Sequence, residues 1–125
     1  MEGKKPLILV VDDDPDIRAL LAHELAKAGY GVMEAVDAAS ARECLAAGLP
    51  DLVISDIRMP GVSGIDFVAG LREVPALSRI PVIYLTGLEE DTELAVRTVG
   101  YPLLSKPVKL PELVREVRAQ LRRRA

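Results

Sequence analysis

Two short apolar runs that end in acidic residues are the feature that most constrains the fold of this chain. The first run, Leu7–Val11, contains only leucine and β-branched residues, and the second, Leu52–Ser55, is apolar except for its last residue. The residues that follow them are Asp12, Asp13 and Asp14 after the first run and Asp56 after the second. A strand that is apolar on both faces is typical of a parallel sheet covered by helices. Because ligands of such sheets bind at the carboxyl ends of the strands, we predict that Asp56 lies at the edge of the functional site.

Further strands and helices alternate along the chain. The other predicted strands are Gly31–Ala35, Pro81–Thr86 and Leu103–Ser105. Helical spacing of apolar residues predicts five helices: one after Pro15 that buries Ile17, Leu20, Leu21, Leu25 and Ala28, one at Ala38–Ala47, one with Ile65, Val68 and Leu71, one marked by Leu88, Ala95 and Val99, and one that begins at Pro111. The alternation predicts an α/β fold with one doubly wound, five-stranded parallel sheet and helices on both faces.

Composition limits the class of protein. A chain of 125 residues, 50% of them hydrophobic, is typical of one globular domain, which we predict to span residues 1–125 with an ordered core over about residues 5–123. The net charge of −3 argues against direct nucleic-acid binding. No apolar run approaches the roughly 18 residues of a membrane helix, so we expect no membrane partner. The single cysteine, Cys44, suits a reducing compartment, and we expect a cytoplasmic protein.

Polar side chains lie at the carboxyl ends of four of the predicted strands. Asp12 and Asp13 follow the first, Asp56 the third, Thr86 ends the fourth, and Lys106 follows the fifth. Three neighbouring carboxylates repel one another unless a cation binds there, and an oxygen ligand set with room for water suits Mg²⁺. A carboxylate can also act as a nucleophile and form an aspartyl phosphate. The metal, the ammonium group and the hydroxyl group could then bind the phosphoryl oxygens.

Each of these residues also has a simpler interpretation. An aspartate after a strand often caps the next helix, and Asp14 is a plausible N-cap. Thr86 could be a helix cap, and Lys106 could be an ordinary surface lysine. The functional interpretation depends on the coincidence that four separate strand ends each supply a suitable group.

Four segments form a combination that is much more specific than any one of them. They are Val10–Pro15, Asp56–Pro60 with Gly64, Leu85–Gly87, and Lys106–Pro107. With these segments the chain resembles the receiver domain of two-component response regulators over essentially its full length. The resemblance implies a flavodoxin-like (βα)5 fold and a cis peptide bond before Pro107.

The resemblance also implies a role for each residue of the cluster. Asp56 would accept a phosphoryl group from the phosphohistidine of a histidine kinase or a phosphotransfer protein. The implied ligands of Mg²⁺ are Asp12, Asp13, Asp56 and the backbone carbonyl of Arg58. Thr86 and Lys106 would bind the phosphoryl oxygens. The protein would then be a signalling switch that catalyses only its own phosphorylation and dephosphorylation.

The sequence departs from the family pattern near the fifth strand. Receivers usually carry Tyr or Phe three residues before the lysine, where this chain has Leu103, and the segment from Gly100 to Lys106 is one residue shorter than the common pattern. The nearest aromatic residue is Tyr101. In the family, the face formed by the fourth helix, fifth strand and fifth helix binds the output partner or effector domain, so this departure concerns the relay of the signal.

Two other functions fit parts of the sequence. A phosphatase of the haloacid-dehalogenase type would use Asp12 as nucleophile and Asp14 as the second acid, but such enzymes need more chain, and the Asp56–Pro60 segment would be unexplained. A receiver-like interaction module without phosphorylation would not need all five site side chains. No effector domain is expected after Ala125, so we predict either a stand-alone receiver or a piece of a larger protein.

Overall fold

The sheet has five parallel strands, as the apolar runs predict. The computed structural model describes residues 5–87 and 97–124. The strands are β1 (Leu7–Val11), β2 (Gly31–Ala35), β3 (Leu52–Asp56), β4 (Val82–Thr86) and β5 (Leu103–Ser105), in the order β2-β1-β3-β4-β5. The order reverses between β1 and β3, so the carboxyl ends of these two neighbouring strands flank the crevice where ligands of doubly wound sheets bind.

Helices cover both faces of this sheet. The described helices are α1 (Pro15–Lys27), α2 (Ala38–Ala47), α3 (Gly64–Arg72) and the C-terminal helix (Leu110–Arg124). Alternate strand residues point to opposite faces, and two apolar cores result: α2 and α3 pack on one face, and α1 and the C-terminal helix pack on the other. The predicted doubly wound, flavodoxin-like fold is therefore confirmed.

Polar caps fix where the helices begin. Asp14 accepts hydrogen bonds from the backbone N–H groups of Asp16 and Ile17 at 2.9 and 3.3 Å, so it is the predicted N-cap of α1. Asp37 and Ser40 form a reciprocal capping box at the start of α2. Because each cap lies two or three residues after the end of a strand, the carboxyl edge of the sheet is also the edge where these helices begin.

One predicted core position is wrong, and one marker of a predicted helix lies outside a helix. Leu20 is 48% exposed, whereas Leu21 and Leu25 are buried. Adjacent residues of a helix point roughly 100° apart, so Leu20 lies outside the stripe that α1 buries. Val99, which was predicted to mark the fourth helix, lies in a turn after the helical residue Arg97 and is 77% exposed. The other two markers of the predicted fourth helix, Leu88 and Ala95, lie outside the described residues. None of the described helices is long and apolar enough to cross a membrane.

Candidate functional site

The predicted site residues meet at the carboxyl edge of the sheet. Backbone hydrogen bonds join the ends of the strands: the Lys106 N–H donates to the Thr86 carbonyl at 2.8 Å, and the Ile57 N–H donates to the Leu85 carbonyl at 3.1 Å. An open cleft of about 230 Å³ lies at this edge. Its lining residues are Asp56, Ile57, Arg58, Thr86, Gly87 and Lys106.

Three carboxylates lie together beside this cleft. One oxygen from each of Asp12, Asp13 and Asp56 lies within 4.8 Å of the others. Asp12 is fully buried and Asp56 is 6% exposed, whereas Asp13 is open to solvent. Burying two carboxylates side by side is costly unless cations compensate their charges. The cluster therefore has the composition of a site for a hard divalent cation.

Lys106 supplies one compensating charge. Its Nζ lies 2.9 Å from Asp56 Oδ2 and 3.0 Å from Asp12 Oδ2. The lysine reaches both acids because β5 ends beside β4. A cis peptide bond joins Lys106 to Pro107, as the resemblance implied. Burial lowers the pKa of the ammonium group, but the hydrogen bond to Asp56 and the negative charges of Asp56 and Asp12 outweigh that effect and raise it. Lys106 is therefore charged at neutral pH.

The charge of Lys106 does not satisfy the cluster. Burial raises the pKa of Asp56, and the charges of Asp12 and Asp13 add to this effect, against the opposing influence of Lys106. No hydrogen bond of acceptable geometry reaches the buried Asp12 Oδ2 from the described part of the chain, although the ammonium group lies at ion-pair distance. A buried oxygen without a directed donor is a suitable ligand for a cation. The donor set thus fits Mg²⁺, which prefers oxygen ligands and retains some of its water.

The backbone after Asp56 is held in a tight arrangement. The Gly64 N–H donates to the Ile57 carbonyl at 2.7 Å, and the Ser55 hydroxyl donates to the Asp56 carbonyl at 3.0 Å. A Cβ atom at Gly64 would overlap the Asp56 carbonyl oxygen and would lie 2.9 Å from Ser55 Oγ. Glycine is therefore required at this position for α3 to pack against the end of β3.

Thr86 and Arg58 line the cleft together with Asp56. Thr86 ends β4 and is partly buried, and Arg58 lies in the exposed loop after β3. The structure thus brings all the predicted site residues to one edge. By contrast, Asp14 is used as the cap of α1, so the second acid of a dehalogenase-type site is already engaged with backbone N–H groups.

Sequence reasoning missed two contributors to the site and its surroundings. Arg18 donates from one guanidinium nitrogen to the Asp12 carbonyl at 2.8 Å and forms an ion pair with Glu34 at 3.3 Å. Tyr101 accepts a hydrogen bond from Arg72 Nε at 3.2 Å, and its ring packs edge-on against Tyr84 with centroids 5.2 Å apart. These contacts depend on the packing of distant elements. In the sequence, the only signal for the Arg18 contacts was the position of this residue one helical turn into α1.

Comparison with known proteins identifies the class of protein that the sequence motifs indicate. The chain matches the family described as "Response regulator receiver domain" over residues 8–118, and it belongs to that family. It is a receiver domain of the kind found in two-component signalling, and this outcome supports the receiver interpretation over the phosphatase and the unphosphorylated module. Receiver domains of response regulators interact with histidine kinases and output domains.

Individual relatives differ in length. An uncharacterized 14.6 kDa protein of Leptolyngbya boryana is 42% identical over 112 residues, which cover 88% of this chain and 86% of that protein. The phosphate regulon transcriptional regulatory protein PhoB of Rhizobium meliloti is 38% identical over 120 residues, which cover 94% of this chain and 53% of PhoB. The chain therefore spans about half the length of this regulator.

Solved structures show the same fold. The chemotaxis protein CheY4 of Vibrio cholerae superimposes with a TM-score of 0.86 and 30% identity, covering 94% of this chain and 99% of CheY4. The signal receiver domain of an HD domain-containing protein from Pseudomonas fluorescens gives a TM-score of 0.88 and 30% identity, with coverage of 97% and 98%.

Proposed function

We propose that residues 1–125 form a single receiver domain in which Asp56 accepts a phosphoryl group in a Mg²⁺-dependent reaction. The donor would be the phosphohistidine of a histidine kinase or a phosphotransfer protein in the cytoplasm. The observation that carries the proposal is the position of Asp56, which lines the cleft, lies 2.9 Å from the Lys106 ammonium group and shares a cluster with two further carboxylates.

The metal would be held by oxygen atoms of the cluster and of the adjoining loop. The proposed ligands are the carboxylates of Asp12, Asp13 and Asp56 and the backbone carbonyl of Arg58. When bound, Mg²⁺ supplies positive charge that stabilises the phosphoryl oxygens during transfer. The buried Asp12 Oδ2, which receives no directed hydrogen bond from the described residues, and the proximity of the three carboxylates support this assignment.

The transfer is a nucleophilic substitution at phosphorus. An oxygen of the Asp56 carboxylate forms a bond to phosphorus while the bond between phosphorus and the histidine nitrogen breaks. The departing imidazole keeps the electron pair of that bond and takes a proton from solvent. Lys106 and Thr86 lie beside Asp56 in the cleft, and we propose that they bind oxygens of the attached phosphoryl group.

The nucleophile must be ionised, which the protein arranges with cations. Burial alone favours the protonated form of Asp56 and raises its pKa. The Lys106 ammonium group opposes this effect, and a divalent cation in the same cluster would oppose it further. Phosphorylation of Asp56 is therefore expected to depend on Mg²⁺ more strongly than folding of the domain does.

The output partner is proposed to bind the face formed by the predicted fourth helix, β5 and the C-terminal helix. On the described part of this face, Leu103 is 45% exposed and Val99 is 77% exposed, which supports contact with another protein or an effector domain. Leu103 has no ring to rotate, and Tyr101 is packed against Tyr84 and bonded to Arg72. We therefore propose that the phosphorylation signal passes through the segment that begins at Gly87, directly after Thr86.

Acetyl phosphate tests the proposal without a partner kinase. The purified chain is incubated with Mg²⁺ and acetyl phosphate, and its intact mass is measured for the wild type, Asp56→Asn and the control Asp66→Asn. Asp66 is an exposed aspartate on α3. One added phosphoryl group on the wild type and the control, and none on Asp56→Asn, is the expected result. Equal labelling of Asp56→Asn would refute the assignment.

A further inference from the structure

Arg18 connects the acidic cluster to the neighbouring strand. Its NH1 donates to the Asp12 backbone carbonyl at 2.8 Å, and its Nε lies 3.3 Å from the Glu34 carboxylate. The arginine side chain is 20% exposed and that of Glu34 is 45% exposed. Glu34 lies on β2, which pairs with β1 in parallel register. Arg18 therefore links α1, the end of β1 and β2 through two separate nitrogen atoms.

The hydrogen bonds of Asp12 show what this link does. Its N–H donates to the Ala35 carbonyl at 3.1 Å, its carbonyl accepts from Arg18, and its Oδ1 accepts from the Asp14 N–H at 2.9 Å. The atom left without a directed hydrogen bond from a described residue is Oδ2, at the carboxylate cluster. The residue is thus fixed at three points, and its remaining oxygen lies in the carboxylate cluster, 3.0 Å from Lys106 Nζ, where the metal is proposed to bind.

The contact also determines the direction of the next residue. The carbonyl that Arg18 binds belongs to the peptide unit that leads into Asp13. This peptide unit cannot rotate without breaking the bond to Arg18, so the bond restricts where the exposed carboxylate of Asp13 lies. We infer that Arg18, held by Glu34, is a positioning residue that orients Asp12 and Asp13 for divalent cation binding; this inference rests on the proposed function.

The charge of Arg18 and its positioning role predict opposite effects on Mg²⁺ affinity, which makes the inference testable. Arg18 is a cation beside a cation site, so its charge alone would weaken Mg²⁺ binding, and its removal would tighten it. If positioning dominates, its removal weakens Mg²⁺ binding. Loss of a partner that orients a metal ligand costs about tenfold or more in metal affinity.

The experiment is a calorimetric titration with Mg²⁺ of the wild type, Arg18→Ala, Arg18→Lys, Glu34→Ala and the control Lys27→Ala. Lys27 is an exposed α1 cation whose ion pair is with Glu24 on the same helix. Melting temperatures in EDTA verify that each variant is folded. We expect a Kd about tenfold higher for Arg18→Ala and a smaller increase for Glu34→Ala. Arg18→Lys should resemble Arg18→Ala because one ammonium group cannot span both acceptors. The control should match the wild type.

Two results would overturn the inference, and they differ from failure of the proposed function. An unchanged or lower Kd for Arg18→Ala, with the wild type binding Mg²⁺, would show that Arg18 has only a structural or electrostatic effect. If Arg18→Ala does not fold, an unchanged Kd for Glu34→Ala and Arg18→Lys would have the same meaning. Absence of Mg²⁺ binding by the wild type would instead overturn the proposed function, and this inference with it.

Discussion

Replacement of Lys106 by methionine should destabilise the domain, because it removes a charge shared by two buried carboxylates. The Lys106 Nζ lies within 3.0 Å of Asp12 and 2.9 Å of Asp56, whose side chains are 0% and 8% exposed. Breaking a fully buried ion pair costs about 3–5 kcal/mol, whereas an exposed pair contributes about 0–1 kcal/mol. Because the Lys106 side chain is 19% exposed, we expect a loss of about 2–3 kcal/mol in the free energy of unfolding.

This loss corresponds to a measurable change in melting temperature. At about 2.1 cal/mol/K per residue, a chain of 125 residues has an unfolding entropy of about 0.26 kcal/mol/K. A loss of 2–3 kcal/mol then lowers Tm by about 8–11 °C. The measurement is thermal unfolding by circular dichroism in EDTA at neutral pH, with Lys109→Met as the control because Lys109 is exposed in the same segment.

The pH dependence gives the sign of the effect. Burial raises the pKa of Asp56 in the folded protein above its unfolded value of 3.8. Asp56 therefore contributes stability at pH values below 3.8, and this contribution is lost as the pH rises through the higher folded pKa. Lys106→Met removes the charge that lowers the pKa of Asp56, so the folded pKa of Asp56 rises further. The stability lost through Lys106→Met should therefore grow as the pH increases above 3.8 and should shrink in acid. Mg²⁺ should restore part of the lost stability. An unchanged Tm in EDTA at neutral pH would refute the reasoning that Lys106 compensates these carboxylates.

Three further substitutions probe the same region. Asp56→Asn should raise Tm in EDTA at neutral pH, because a neutral amide avoids the cost of a buried carboxylate, and a lower Tm would contradict this. Gly64→Ala should lower Tm and slow labelling by acetyl phosphate, since the added methyl group meets the Asp56 carbonyl, whereas Gly48→Ala has open space and should do neither. Tyr101→Phe should cost about 1 kcal/mol by removing the acceptor of the Arg72 hydrogen bond, and equal denaturant midpoints for wild type and mutant would show that this bond contributes nothing.

The sequence was sufficient for the parts of the fold that depend on local pattern. β1, β2, α2 and β5 have the predicted bounds, because turn residues on either side delimit short strand and helix patterns in the sequence. The juxtaposition of Asp12, Asp56 and Lys106 follows from a single rule, that parallel strands end at the same edge. Their separation in the chain is therefore no obstacle to prediction.

Features that depend on packing between elements were not predictable in the same way. The link between Arg18 and Glu34 requires the register of β1 with β2 and the rotation of α1 about its axis, which also explains why Leu20 was wrongly assigned to the core. The hydrogen bond between Arg72 and Tyr101 joins residues 29 positions apart through the docking of α3 on the sheet. Periodicity identifies an apolar face, but it does not fix the partner of each polar side chain.

The identity of the phosphorylated residue tests the central claim most directly. Wild-type protein phosphorylated with acetyl phosphate and Mg²⁺ is reduced with borohydride, which converts an aspartyl phosphate to homoserine, and the modified residue is located by peptide mass spectrometry. We predict homoserine at position 56 alone, dependent on Mg²⁺. Homoserine at position 12 or 13, or an unmodified chain, would contradict the assignment of Asp56 as the phosphoryl acceptor.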